Sequence, residues 1–146
     1  MRIIRERLTA DCARIGLCVL LAQVLLSSAS AQEVPAELIA SWKVEAISGA
    51  PVDPGVMASM EFEGAGTVDG SGGCNSLFGP YSNEDGFRIG PLAVTRKACP
   101  PTVLSQEQAL IKAISAVRDF RLEADNQQLM LLNGSGDVVV QLSADK

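Results

Sequence analysis

The chain has 146 residues, 47% of them hydrophobic and 20% charged, with a formal net charge of −5 and no histidine. Without histidine there is no usual general base, no usual zinc ligand and no histidine-dependent triad, which leaves only Ser-Lys or carboxylate mechanisms open. The acidic balance, with no basic cluster longer than Arg96-Lys97, would repel a phosphate backbone and excludes nucleic acid as an expected partner.

The N-terminus carries Arg2, Arg5, Arg7 and Arg14, then an apolar run of 12 residues from Ile15 to Leu26, then Ser27-Ser28-Ala29-Ser30-Ala31. That order reads as a secretory signal at residues 1–31, cleaved after Ala31 at an A-x-A site, so that the mature protein starts at Gln32. A helix needs about 20 apolar residues to cross a bilayer, so no stable membrane anchor is expected from this run. Cys18 follows Leu17 inside the run, not a small residue at its end, which disfavours lipid attachment, and Cys12 and Cys18 leave with the signal. The expected localisation is periplasmic or secreted.

Removing residues 1–31 takes four of the 12 basic and two of the 17 acidic residues. That leaves 8 against 15, a net −7 on 115 residues. Such a length supports a single domain, expected over residues 37–146 behind a short linker at 32–36. The two remaining cysteines, Cys74 and Cys99, form an even pair in an exported chain and are read as a disulfide enclosing 24 residues. Closing that loop stabilises the fold by roughly 3.5 kcal/mol in the chain-entropy picture. Arg96 and Lys97 near Cys99 would favour a thiolate, so a reactive thiol is the rival reading.

Trp42, Val44 and Ala46 alternate with Lys43 and Glu45, which predicts a half-buried strand over Ser41 to Ser48. A second alternation puts Ala58, Met60 and Phe62 on one face and Ser59, Glu61 and Glu63 on the other. Thr67 to Asp69 and Leu77 to Tyr81 read as further strands, and Asn83-Glu84-Asp85-Gly86 as a turn into Phe87, Ile89, Leu92 and Val94. Between Pro101 and Asp119 the period changes. Leu110, Ile111, Ile114 and Val117 recur at helical spacing, predicting a helix from about Gln106 to Val117 with Ser105 as N-cap and Gln108 completing a capping box. Phe120 to Ala124, Gln128 to Leu132 and Val138 to Leu142 read as three last strands, the final two joined by the loop Asn133 to Asp137.

The expected fold class is therefore α+β: a small antiparallel β-barrel or strongly curled sheet of about 7–8 strands with one amphipathic helix packed against it.

Three segments carry a family resemblance: Ser-Trp-Lys-Val-Glu-Ala-Ile-Ser-Gly at 41–49, Gly-Gly-Cys-Asn-Ser-Leu-Phe-Gly-Pro-Tyr at 72–81 and Thr-Arg-Lys-Ala-Cys-Pro at 95–100. They resemble the META/HslJ domain, and the last strands extend the likeness over nearly all of residues 37–142. The resemblance implies a barrel-like β domain with a helix, at the bacterial envelope or secreted, linked in some members to heat-shock or antibiotic-stress responses and without enzyme activity. Many relatives carry a lipobox, which this chain lacks.

Within those segments Gly72 and Gly73 serve tight backbone, Asn75 a turn, and Tyr81 a buried ring with a bonded hydroxyl. The functional alternative is a polar recognition patch in which Asn75, Tyr81, Thr95 and Arg96 converge beside the disulfide. Glu61 and Glu63, about 7 Å apart along one strand face, mimic a glycosidase pair but read as a solvated face. Asp137 lacks the ligand ladder of a calcium loop and reads as a turn acid. No catalytic, cofactor-binding or metal residue is assigned. Six aromatics in all weigh against a carrier of an apolar ligand, and a single tryptophan and a single tyrosine weigh further against carbohydrate recognition, which needs exposed aromatic platforms. The expected function is a monomeric envelope interaction module with a protein partner. The alternative is a carrier of a small apolar ligand or lipid inside the barrel, with an enzyme third.

Overall fold

The structure, a computed structural model, describes residues 34–123, 125 and 127–145. The expected export signal and cleavage site lie outside the described residues, as does Ala124 at the end of one expected strand. Among the described residues, ten strands and one α-helix follow a short 3-10 turn at Ala36–Leu38. The strands before the helix are β1 (Ser41–Ile47), β2 (Ala50–Pro51), β3 (Ser59–Glu63), β4 (Thr67–Ser71), β5 (Ser76–Ser82), β6 (Arg88–Ile89) and β7 (Ala93–Val94). Helix α1 (Pro101–Ser115) comes next, followed by β8 (Val117–Glu123), β9 (Gln128–Asn133) and β10 (Val138–Ala144).

Eight of the strands form one antiparallel path in the order β6-β5-β4-β3-β1-β10-β9-β8, with β2 added to β1 and β7 to β5. The two ends of the path approach each other. Phe87, just before β6, meets Phe120 of β8 with ring centroids 4.6 Å apart, so the sheet nearly closes on itself. Near closure leaves few exposed strand edges, which suits a small all-antiparallel sheet.

Alternation builds the core. On β3 Met60 and Phe62 are buried and Glu61 and Glu63 exposed, and on β5 Leu77, Gly79 and Tyr81 face inward. From the far side come Leu129, Leu131, Val140 and Leu142, and α1 adds Leu110, Ala113 and Ile114. A small depression lined by Met60, Val68, Leu77 and Ile114 together with Asp69, Gly70 and Leu92 measures about 10 Å³, room for about one water.

Three expectations need correction. Strict alternation puts Ala46 inside, but a register shift between Val44 and Ala46 against β10 rotates the strand, so Ile47 is buried and Ala46 only half-buried. A bulge inserts one residue and so exchanges the faces beyond it. The helix also starts earlier than Gln106, at Pro101, with Pro100 as its N-cap and no side-chain cap, so Ser105 lies inside the helix and caps nothing. Proline suits the first helical turn because its missing N–H has no partner there anyway. Val117, read as the last residue of the helical stripe, is instead the first residue of β8 and is fully buried.

β6 and β7 are one returning edge strand broken at Gly90-Pro91, both parts pairing with β5. The break leans over Gly79, where a Cβ would sit 2.6 Å from the Pro91 carbonyl oxygen. Glycine at 79 thus permits the chain to step across β5 at this point.

Candidate functional site

The loop between β4 and β5 turns tightly, with Gly72 donating to the Asn75 carbonyl at 3.0 Å and Gly73 at φ +110°. Asn75 emerges from it only 4% exposed and points at α1, where Glu107 is 3% exposed. The backbone N–H of Asn75 donates to Glu107 Oε2 at 2.8 Å and its Nδ2 donates to Oε1 at 2.6 Å. A Cβ at Gly72 would collide with the Glu107 side chain, so glycine is what lets the helix approach.

On its other side the Asn75 Oδ1 accepts from Thr95 Oγ1 at 3.1 Å and from the Lys97 N–H at 2.7 Å. Thr95 Oγ1 in turn accepts the Ser76 N–H at 3.0 Å. One buried amide therefore ties the helix, the glycine turn and the segment after β7 together. Cys74 and Cys99, next to this network, are paired with Cα atoms 6.4 Å apart, inside the usual bridging range.

Between β7 and α1 runs an open groove of about 460 Å³. Its walls are Leu92 and Val94 from the strand side and Leu104 and Ile111 from the helix, all four half-buried. Arg96 and Lys97 also line it and are exposed, and among the described residues no carboxylate forms an ion pair with either. Asn75 and Glu107 reach the groove from below.

Of the expected patch, Asn75, Thr95 and Arg96 come together at this groove. Tyr81 does not. It lies six residues along β5 from Asn75, about 20 Å in an extended chain. There its ring stacks edge-on against Phe62, 5.2 Å between centroids, and its hydroxyl donates to the Glu63 carbonyl at 2.6 Å. Burial, reinforced by the Glu63 carboxylate, holds its phenol above the ordinary tyrosine range.

Glu107 and the groove walls were missed in the sequence. A signal for Glu107 exists, since it stands three residues before Leu110 and seven before Ile114, on the stripe that those residues bury. Leu104, Gln108 and Ile111, spaced by four and three, mark the adjoining stripe.

The acidic pair at Glu61 and Glu63 is on the exposed face of β3. Glu63 Oε2 accepts from Thr67 Oγ1 at 2.8 Å, and Glu61 stands opposite Asp69. Asp137 accepts from Asn133 Nδ2 at 3.1 Å while Asn133 Oδ1 takes the N–H groups of Ser135 and Asp137, an Asx-type turn.

The family model of the META domain matches residues 36–146. No curated protein matches the chain. Among solved structures, the chain is similar to an NMR structure of a protein from Burkholderia xenovorans, with a TM-score of 0.60 and 22% identity over 74% of this chain and 83% of that one. It is also similar to a crystal structure of a DUF4847 family protein from Bacteroides vulgatus ATCC 8482, with a TM-score of 0.51 and 14% identity over 76% of this chain and 96% of that one. At these identities the likeness shows the fold alone.

Proposed function

Because this chain belongs to the META domain family, we propose that it is an exported, non-catalytic envelope module that works by docking a partner protein in the groove between β7 and α1. The observation that carries this reading is the groove itself. Apolar walls from a strand and a helix run to Arg96 and Lys97, two cations without an intramolecular counter-charge among the described residues, on a mature chain of net −7. Desolvated apolar surface provides affinity and the charged rim provides orientation and partner choice. The export signal read in residues 1–31 supports a periplasmic or secreted location, and the family resemblance supports a tie to stress. The rival, a lipid carried inside the sheet, would need room in an interior filled by fully buried side chains such as Trp42, Phe62, Leu131 and Leu142.

Photo-cross-linking in living cells tests the proposal. A benzoylphenylalanine placed at Gln108, on the groove wall, is expected to give discrete partner adducts. The same group at Glu61, on the exposed face of β3, is expected to give none. Equal adducts at both positions, or none at Gln108, would count against the groove as the docking surface.

A further inference from the structure

We infer that the partner of this groove is an acidic segment in extended conformation that adds as a strand to the open edge of β7; the inference rests on the docking role proposed above. The backbone supplies the first argument. Thr95 donates its N–H to the Ser76 carbonyl at 3.1 Å, and Lys97 donates its own to Asn75 Oδ1 at 2.7 Å. Both turn inward, toward β5 and its preceding loop. Backbone groups alternate along an extended chain, so Val94 and Arg96 direct theirs the other way, away from β5. β7 pairs only with β5 among the described residues. Its other edge offers the N–H and C=O of Val94, continued by those of Arg96, to the backbone pairing that strand addition uses.

Side-chain chemistry supplies the second argument. Val94 sits opposite Leu77, so its face of β7 continues the buried face of β5 and meets Leu104 and Ile111 across the groove. Ala93 sits opposite Phe78, a residue 58% exposed beside a second depression of about 510 Å³ on the outer face. A strand laid along β7 would thus have apolar surface within reach of both of its faces. At the Arg96 and Lys97 end the complementary group is a carboxylate. An edge strand ordinarily carries such cations to repel other strands. Here they select for one that brings the opposite charge.

Selection of random twelve-residue peptides on phage against the disulfide-bonded protein, purified after export, tests the inference. The expected winners alternate apolar residues and end in Asp or Glu. They are expected to bind about tenfold more weakly to an Arg96→Ala/Lys97→Ala variant, and to slow hydrogen exchange at the Val94 and Arg96 amides. Winners without acids, or protection elsewhere with those two amides still exchanging freely, would overturn it. So would failure to select any peptide, which would leave the cations as guards of the edge only. If no peptide is selected but Gln108 still cross-links, the partner docks as a folded surface and only the strand-addition inference fails. If both fail, the groove is not the docking site.

Discussion

Glu107 and Asn75 form a two-point bridge in which both carboxylate oxygens of the helix residue are taken by donors of the turn residue, at 2.8 and 2.6 Å. Each is at least 96% removed from solvent, so neither can exchange its partner for water. Glu107→Ala strands two buried donors and is expected to cost about 2 kcal/mol or more. Glu107→Gln keeps one acceptor and presents an amide to the other donor, so it is expected to rescue only part of that loss. Urea melts of the two variants and of a double variant with Asn75→Ala would show the coupling, and additive losses would mean that the two residues act separately.

The disulfide constrains the same region from the surface side. Cys74→Ser with Cys99→Ser is expected to lower stability by about 3.5 kcal/mol, the loop-closure value for the 24 residues enclosed. Thiol labelling of the unfolded, unreduced protein should find no free cysteine in the mature chain. Labelling at both positions would contradict the pairing and revive the thiol reading.

Ile114 is 1% exposed among core side chains, whereas Lys112 two residues earlier faces solvent. Ile114→Ala is expected to cost about 2 to 5 kcal/mol, the sum of lost transfer energy and a cavity in a site that cannot collapse. Lys112→Ala is expected to change the melting temperature little. An unshifted Ile114→Ala melt would mean that this stripe serves an outside partner and not the core.

Tyr81 sets an alkaline limit. Burial first, and the Glu63 carboxylate second, raise its phenol above the ordinary value. The unfolded chain thus releases this proton at lower pH than the folded one. The stabilisation is complete below about pH 10 and is lost as pH rises through the folded-state value. Tyr81→Phe is expected to cost about 0.5 to 1.5 kcal/mol at neutral pH, from the lost bond to the Glu63 carbonyl. It is also expected to flatten the alkaline fall of a pH series of thermal melts. A parallel fall in both proteins would place the alkaline limit elsewhere.

The strands were legible where alternation is strict, as at Met60 and Phe62, because a half-buried strand writes its two faces directly into the residue order. Alternation failed at Ala46, where the bulge against β10 depends on a partner strand nearly a hundred residues away. The break at Gly90-Pro91 is equally hidden, since it depends on the close approach of Pro91 to Gly79, which only a residue without a side chain permits. In the site, Asn75 and Thr95 are legible as polar residues of two separate motifs that the fold brings into contact, whereas Tyr81 lies far along the same strand. Glu107 was overlooked because a search for apolar periodicity passes over a charged residue on the apolar stripe. Its partner, Asn75, is 32 positions away.

The docking role of the groove is tested most directly by reversing its charge while leaving the fold alone. Arg96 and Lys97 are exposed and form no ion pair among the described residues, so Arg96→Glu with Lys97→Glu is expected to leave stability within about 0.5 kcal/mol of the parent. In cells, partner adducts from benzoylphenylalanine at Gln108 are expected to disappear in that variant. Adducts of unchanged yield, from a protein that melts like the parent, would contradict the groove as the surface by which this domain works.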